Sequence, residues 1–543
     1  MILPGFRAAP IAAFIPRLIP TCLSRLLTVF APRFAPRSIP SFAAILLSAA
    51  CSGPAASSAD GVVTVAVGTS PSSFDPRVST DEGSERVSHL VYSRLMELNG
   101  QLRAAPGLAE RLDNPDPLTY VAHLRHGVKF HDGHELTAKD VVYTFTSILD
   151  PAFTSPLRGA YRSLASVTAV DDYTVAFVLK EPVTSFPIQL VAPIVPAGAG
   201  ASLRSRPVGT GPYRFVRYLA DDQVVLSSFQ DYYGGPPANT GIVMKIVPDD
   251  TMRGLELRKG TVDLVINDIA PDIVHQFESE GRLQIVTSPG TDYAYIGLNL
   301  RDHALSDKRV RQAIAYAVDR QAIVDYLRRK FAGVAVGMLP PYSWAFEPGV
   351  RVFTHDPARA RQILDEAGYR DPDGDGPLPR LTLTLKISTS DFIRLQATVL
   401  QQELREVGIA VDVRQYEFAT LFADVLKGNF QMVTLQWVGG AVADPDILRR
   451  VFHSQQAPPS GFNRGGYNNP EVDRLLDAAT RASGDEERKR LYGEVQKLIA
   501  EDSPYISLWY RTNVAVMQPA ISGLRLGPLG DFRALKDVRK RPS

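Results

Sequence analysis

The sequence contains very little cysteine. Cys22 and Cys51 are the only two among 543 residues, and both lie within the first 51. A chain with so few thiols is not a disulfide scaffold and cannot bind zinc through cysteines. Residues 52–543 also offer no thiol nucleophile.

Long apolar runs and catalytic motifs are missing as well. Beyond residue 51 no run reaches the roughly eighteen apolar residues that a membrane helix needs. The sequence lacks the G-x-S-x-G, H-E-x-x-H and G-x-x-x-x-G-K patterns of serine hydrolases, zinc proteases and phosphate-binding loops. We therefore expect no catalytic residue and no cofactor, that is, a protein that is not an enzyme.

Negative charge is absent from the first fifty residues, which hold five arginines and neither Asp nor Glu. The remaining residues carry 54 basic and 58 acidic side chains, a formal charge of −4. A mildly acidic protein is a poor candidate for non-specific binding to nucleic acid, because the phosphate backbone attracts positive charge.

The end of this arginine-bearing segment, SFAAILLSAAC, has the length and the small final residues of a signal peptide. Its last six residues resemble a bacterial lipobox in which Cys51 is lipidated, although Ser48 stands where Leu is preferred. We expect residues 1–50 to be a lipoprotein signal peptide and residues 51–60 a flexible tether. The protein would then be extracytoplasmic and lipid-anchored, in the periplasm or on the outer face of the cytoplasmic membrane. Ordinary secretion with cleavage nearby is the alternative.

The periodicity of the rest predicts a mixed α/β protein of two or three domains, since 543 residues exceed one compact core. Alternating valines predict a strand over 63–67. A helix is predicted after Thr137, where Thr137 and Asp140 form a capping box. Residues 84–98 and 306–329 each carry apolar residues at helical spacing, and we expect one continuous helix in each.

Four histidines lie close together in HLRHGVKFHDGH, at positions 123, 126, 131 and 134. Close histidines can bind a metal ion. Successive side chains of a strand point to opposite faces, however, so His123 and His126 would diverge. We expect no metal site here.

An ordered series of motifs resembles family 5 of the bacterial extracytoplasmic solute-binding proteins, the peptide- and nickel-binding class that serves ABC importers. The segment that resembles the family signature is LRHGVKFHDGHELTAKDVVYTF (124–145). Over nearly all of residues 60–515 the other matching segments follow in family order: SFDPR, VGTGPYRF, DYYGG, IVPDDTMRGLELRKGTVDLV, GLNL, SDKRVRQAIAYAVDR and GGYNNPEVDRLL.

This resemblance implies the type II periplasmic-binding-protein fold, an α/β fold of three domains with two lobes around a cleft. The lobes would close on ligand about a hinge formed by crossovers near 288–293 and 503–508. The expected domains are domain I (61–95, 207–290 and 506–543), the β-rich accessory domain II (96–206) and domain III (291–505).

The resemblance also implies a function. The protein would capture a solute, a peptide first of all, in the interdomain cleft and deliver it to ABC permease and ATPase subunits. We expect a monomer that does not bind nucleic acid. The alternatives are a non-peptide solute, a ligand sensor and a secreted hydrolase-like protein.

The segment FQMVTLQWVGG predicts one wall of the cleft, since its strand ends at one of only three tryptophans. Gln436, Trp437 and Val438 would offer a strand edge and an apolar ring to an extended ligand. Gly439 and Gly440 would let that ligand approach the backbone. The alternative is a core tryptophan beside a glycine bulge.

One position departs from the peptide-binding relatives, which place an aspartate three residues after this tryptophan to pair with the ligand's amino terminus. Gly440 stands there instead, so binding of short peptides by their free termini is in doubt. On the facing lobe the resemblance places Thr80, Asp81 and Glu82 at ligand contacts, and either acid could supply the missing charge. A solvated acidic turn is the alternative for both.

Overall fold

One long mixed sheet organises the structure. The computed structural model describes residues 61–79, 81–374, 376–438, 443–459, 461–482 and 484–542. The predicted signal peptide and tether, Cys51, Thr80, Gly439 and Gly440 lie outside the described residues.

The regular elements of the described residues alternate between strands and helices along most of the chain. The strands are β1 (Val62–Val67), β2 (Met96–Leu98), β3 (Ala104–Pro106), β4 (Ala109–Asp116), β5 (Thr119–Leu124), β6 (Leu164–Asp171), β7 (Thr174–Leu179), β8 (Tyr213–Leu219), β9 (Gln223–Ser228), β10 (Gly241–Ile246), β11 (Leu264–Ile266), β12 (Gln284–Leu298), β13 (Ala332–Val334), β14 (Leu381–Ser388), β15 (Ile409–Tyr416), β16 (Met432–Trp437), β17 (Tyr505–Met517), β18 (Ile521–Ser522) and β19 (Arg539–Lys540). The α-helices are α1 (Glu82–Val91), α2 (Ala138–Leu149), α3 (Phe186–Gln189), α4 (Asp250–Lys259), α5 (Pro271–Glu280), α6 (Lys308–Ala317), α7 (Arg320–Ala322), α8 (Pro357–Glu366), α9 (Asp391–Glu406), α10 (Phe418–Leu426), α11 (Ile447–Phe452), α12 (Pro470–Arg481) and α13 (Asp485–Asp502). Single 3₁₀ segments cover Pro156–Tyr161, Ala201–Arg204 and Phe532–Asp537, and a π-helical turn covers Ile323–Leu327.

The long sheet has two wings that share a pair of central strands. Its order is β15-β14-β16-β12-β17-β11-β1-β10-β9-β8, and β13 adds to β17. The β1 wing consists of β11, β1, β10, β9 and β8, and the β14 wing consists of β15, β14 and β16. The 15-residue β12 and the 13-residue β17 run antiparallel between the two wings and join them.

Strand side chains alternate between the two faces of the sheet, and in β1 both faces carry buried residues. In β1, Val63, Val65 and Val67 pack with Val87 of α1, whereas Ala66 faces the opposite way, towards Leu257 of α4. Burial on both faces explains the nearly continuous apolar sequence of β1, VVTVAV. In the β14 wing, the apolar face of β14 and β15 packs under α6, α8 and α9. Helices α11, α12 and α13 pack instead against Tyr293 and Tyr295 of β12 and Tyr510 of β17.

A second, four-stranded antiparallel sheet of order β4-β5-β7-β6 lies in the region predicted to be domain II. Helix α2 packs on it and contributes Val141 and Phe145 to its core. The helix begins with the predicted capping box, in which Thr137 and Asp140 bond each other's backbone N–H groups. The described residues all belong to a single compact unit, so the three domain boundaries stay a prediction.

The helix predicted over 84–98 is wrong in its second half. Helix α1 ends at Val91, and Met96–Leu98 form β2, which pairs with β3. Leu95 and Met96 pack in the core of the four-stranded sheet rather than against the neighbours of α1. The apolar residues have helical spacing throughout, but the last of them pack into the core of the four-stranded sheet rather than the core beneath α1.

The long helix predicted over 306–329 is also interrupted. Helix α6 ends at Ala317, Val318 is extended, and Asp319 accepts a hydrogen bond from Ala322 N at 2.9 Å to start α7. A π-helical turn follows. An internal N-cap aspartate therefore divides what the periodicity predicts as one element.

Candidate ligand-binding site

Strand β16 has a free edge where it approaches Trp437. On one side it pairs with β12 along its whole length, from Met432 with Leu298 to Trp437 with Tyr293. On its other side, β14 pairs only with Met432 and Val433. Among the described strands none pairs with that side of Thr434–Trp437, so its alternate backbone N–H and C=O groups have no strand partner.

A bulge in β12 lies beside this edge. The register with β17 shifts between Pro289 and Tyr293, where three residues of β12 stand opposite one residue, Arg511. Gly290 is required there, because a Cβ would lie 2.6 Å from the carbonyl oxygen of Arg511. The predicted crossover near 288–293 contains this bulge, while its partner residues in β17 follow the predicted 503–508 segment.

The bulge points Asp292 at the end of β16. Its Oδ2 accepts a hydrogen bond from Gln436 Nε2 at 3.3 Å and lies 3.3 Å from Arg511 Nη1. Arg511 also donates to the carbonyl oxygen of Asn267, which follows β11 in the β1 wing. Arg511 and Asp292 therefore connect the β14 wing to the β1 wing through charged hydrogen bonds.

The predicted residues of the β1 wing lie at the start of α1 and have separate roles. Asp81 is the N-cap and accepts hydrogen bonds from Ser84 N at 2.8 Å and from the Ser72 hydroxyl. Burial alone would raise the pKa of Asp81, but these hydrogen bonds outweigh burial and lower the pKa. Asp81 is thus committed to holding the helix start.

Glu82 is the more available of the two acids, with a side chain that is 58 % exposed. It pairs with Arg86, which also forms a two-fold hydrogen bond to Asp268, including one of 2.8 Å. Desolvation and the negative charges of Asp268 and Asp292 raise the pKa of Glu82, whereas Arg86 and Arg511 oppose the rise. Asp292 and Arg511 therefore act on Glu82 through their charges, while its direct partner is Arg86.

Trp437 is partly buried and packs against Phe462, with ring centroids 5.2 Å apart. The guanidinium of Arg464 lies 5.1 Å from the Trp437 ring centroid. Val438, the last described residue before the two glycines, is 57 % exposed. The tryptophan is therefore neither a fully buried core residue nor a free surface ring, and it stands at the border between the core and an exposed segment.

Beyond the glycines, two partly buried acids precede α11. Asp444 accepts a hydrogen bond from Asp446 N at 2.7 Å. Burial, and then the charge of Asp446, raise the pKa of Asp444 to about 7, and burial raises the pKa of Asp446. The sequence predicts these residues as a helix start, and α11 does begin at Ile447, but their perturbed ionisation is not visible in the sequence.

The structure joins Gln436 to Asp292 and Glu82 to Arg86, and it places Trp437 at the edge of β16 beside Gln436. The sequence interpretation missed Asp292, Arg511 and Arg464. A charged residue two positions after the glycine of a predicted crossover is a signal for Asp292. Nothing in the sequence pairs Arg511 with it, because 219 residues separate the two.

Two further properties concern membranes and metals. Within the described part of the chain, no helix is long and apolar enough to cross a membrane. The described residues also contain no group of three His, Cys, Asp or Glu side chains placed to hold a metal ion.

Comparison with known families identifies the class of protein. Residues 103–459 match the profile of the bacterial extracellular solute-binding proteins, family 5, middle region. The chain therefore belongs to this family, and the family predicted from the motif series is confirmed.

Individual relatives extend the match over most of the chain. The oligopeptide-binding protein AppA of Bacillus subtilis is 30 % identical over 483 residues, covering 85 % of this chain and 88 % of AppA. Heme-binding protein A of Haemophilus influenzae is 30 % identical over 509 residues, covering 88 % and 92 % of the two chains.

Solved structures give the same result for the fold. AppA in complex with a nonapeptide superposes with a TM-score of 0.74 at 29 % identity, covering 89 % of this chain and 99 % of AppA. The ABC transporter substrate binding protein CtaP of Listeria monocytogenes superposes with a TM-score of 0.79 at 27 % identity, covering 89 % and 100 %. The predicted type II periplasmic-binding-protein fold is confirmed.

Proposed function

We propose that the protein captures a solute, a peptide first of all, against the free edge of β16 and delivers it to the permease and ATPase subunits of an ABC importer. The observation that carries this proposal is the one-sided pairing of β16 over Thr434–Trp437. An extended ligand adds to such an edge as a strand, so its main chain supplies affinity while its side chains are read only loosely. The oligopeptide-binding relative, whose structure holds a nonapeptide, supports a peptide as the solute.

The proposed contacts come from both sides of the cleft. From the β1 wing they are Thr80, Asp81 and Glu82, and from the β14 wing Gln436, Trp437, Val438, Gly439 and Gly440. Glu82 supplies a negative charge from the β1-wing side of the cleft, opposite β16, since Asp81 is occupied as a helix cap. Trp437 gives a rigid apolar surface for the ligand body.

Binding rather than catalysis is supported by the state of the carboxylates. Glu82 and Asp268 are both paired with Arg86, and Asp292 is paired with Arg511. Burial alone would raise the pKa of Asp268, but the hydrogen bond and the charge of Arg86 outweigh burial and lower it. A general acid or base needs a pKa near the working pH, and the lowered pKa of Asp268 does not suit that role.

Closure of the cleft is supported by contacts between the regions predicted to be separate domains. Arg103, in predicted domain II, pairs with Asp485 and lies 4.8 Å from the Trp344 ring, both in predicted domain III. Arg329 of predicted domain III pairs with Asp272 of predicted domain I. Such exposed pairs are individually weak, which suits lobes that separate and close again.

Membrane attachment through Cys51 completes the proposal. The lipobox-like LLSAAC and the small polar residues after it support a lipid-anchored monomer outside the cytoplasmic membrane. A single anchored subunit on a tether remains free to hand its solute to a membrane permease.

Small-angle scattering tests the binding mode. The protein is freed of co-purified solute by unfolding and refolding, and the released solute is kept as an extract. The radius of gyration of the refolded protein is then measured with and without this extract and compared with that of the untreated protein. We expect the extract to reduce the radius and raise the melting temperature, because a ligand that binds only the folded state stabilises it. An extract that binds without changing the radius would contradict closure.

A further inference from the structure

A buried arginine stands behind the predicted ligand wall without an acidic partner. Arg464 is 8 % exposed, and its guanidinium carbon lies 5.0 Å from the Phe422 ring, 5.1 Å from Trp437 and 5.5 Å from Phe462. These three rings and Arg464 are called the arginine cage below. All three rings are only partly buried, so the cage lies near the surface beside the end of β16.

The charge of Arg464 is poorly satisfied. Its Nη1 donates one long hydrogen bond of 3.4 Å to the Tyr295 hydroxyl, and its buried Nε–H has no acceptor. Among the described acids none lies within ion-pair distance. The acid on the helix that provides Phe422 is Asp424, which is already paired with Lys386 at 2.6 Å. A buried guanidinium without a carboxylate is costly, and ring faces compensate only part of that cost.

A second donor in the cage is also unused. The indole N–H of Trp437 is buried and makes no hydrogen bond. The hydroxyl of Tyr295 lies close to both donors, and the long bond of 3.4 Å from Arg464 Nη1 goes to it. The side chains of Arg464 and Trp437 carry only donors. Within the described residues, the Nε–H of Arg464 and the indole N–H of Trp437 therefore have no acceptor in hydrogen-bond geometry.

The loop that carries Arg464 is fixed from both sides. The side chain of Asn463 bonds to the carbonyl oxygens of His453 at 3.1 Å and Tyr467 at 2.7 Å. The carbonyl oxygen of Gly465 accepts from Leu300 N at 2.8 Å. Arg464 therefore cannot reach a distant carboxylate by moving its backbone, and its unpaired position is built into the fold.

We infer that the arginine cage receives an anionic, carboxylate-bearing group of the solute, through the N–H groups of Arg464 and Trp437. The inference rests on the proposed function, because it requires the solute to lie against Trp437. It assigns the polarity of the site: the end of the solute near β16 carries a carboxylate rather than an ammonium group. This polarity agrees with a glycine, not an aspartate, at position 440.

The first test needs no ligand and measures the melting temperature of solute-free Arg464→Met. Methionine keeps the apolar stem and removes the unpaired charge, so we expect a melting temperature equal to or above that of the wild type. The matched control is Arg311→Met. Arg311 is also buried (5 % exposed), but it donates to three carbonyl oxygens at 2.8–2.9 Å, so its loss should lower the melting temperature. An equal fall in both variants would show that Arg464 is structural and would overturn the inference.

The second test measures charge selectivity by calorimetry with acetyl-trialanine as the free acid and as the carboxamide. The wild type should bind the acid at least roughly tenfold more tightly, the range of hydrogen bonds to a charged group. Arg464→Met should remove this preference, and Trp437→Phe, which keeps a ring without the N–H, should reduce it. A preference that survives in Arg464→Met, or equal binding of both peptides to the wild type, would contradict the cage.

A third measurement separates failure of the cage from failure of the proposed peptide. Sodium acetate should raise the melting temperature of the wild type above that in sodium chloride of equal ionic strength, and should not do so in Arg464→Met. If neither peptide binds but acetate acts in this way, the carboxylate site at the arginine cage is supported and the proposal that the solute is a peptide is wrong. If acetate has no specific effect and no peptide preference is found, the inference is wrong.

Discussion

Removing the charge of Asp444 should stabilise the protein at alkaline pH. This carboxyl lies between the segment that follows Trp437 and helix α11, with Asp446 beside it. Burial, and then the charge of Asp446, raise its pKa from 3.8 to about 7. In Asp444→Asn the amide oxygen still accepts the hydrogen bond from Asp446 N, so only the charge is lost.

The magnitude follows from proton linkage. Between about pH 4 and pH 7 the unfolded chain releases this proton while the folded chain keeps it, so the free energy of unfolding falls as pH rises through that window. One pKa unit corresponds to about 1.4 kcal/mol, and a shift of this size sets a ceiling of about 4 kcal/mol. We expect Asp444→Asn to recover about 1–2 kcal/mol above pH 7, because water and the nearby arginines reduce the effective interaction.

Urea unfolding at about pH 5 and about pH 8 measures the effect, and the gain should be larger at the higher pH. The matched control is Asp391→Asn, whose side chain is 87 % exposed and whose substitution should have little effect at either pH. A gain of equal size at both pH values, or a loss at alkaline pH, would refute the argument that the folded protein holds Asp444 protonated.

Three further variants test other parts of the structure. Trp437→Ala should weaken solute binding by about 1–3 kcal/mol in calorimetry while the protein stays folded; unfolding without a separate binding loss would make the ring a core residue. Gly290→Ala should lower the free energy of unfolding by about 1–3 kcal/mol, since the new Cβ meets the Arg511 carbonyl oxygen at 2.6 Å; the control Gly333→Ala has open space and should be tolerated. Cys51→Ala should move the protein from the membrane to the soluble extracytoplasmic fraction, and a wild type that is already soluble would disprove the lipid anchor.

The sequence predicts most elements whose signals are local. The capping box at Thr137, the strand over 63–67 and the helix that starts after Asn469 all occur in the structure. Each depends on a cap or an alternation that lies within a few residues. The ordered motifs add the family and hence the fold, which no single periodic segment could provide.

The remaining features depend on partners far away in the chain. Residues 84–98 have helical spacing throughout, but Leu95 packs into the four-stranded sheet and the helix stops at Val91. The pairing of Asp292 with Arg511 and the cage around Arg464 join segments that the sequence keeps far apart. Burial and neighbouring charge, which decide the state of Asp444, are likewise properties of the folded protein alone.

Native mass spectrometry of freshly purified protein tests the central claim, that a solute binds in the cleft beside Trp437. Wild type and Trp437→Ala are purified in parallel, sprayed under native conditions and then denatured to release any bound molecule. We predict a wild-type complex whose extra mass disappears on denaturation, and a much smaller bound fraction in folded Trp437→Ala. An equal bound fraction in both proteins would place the solute elsewhere and contradict the account.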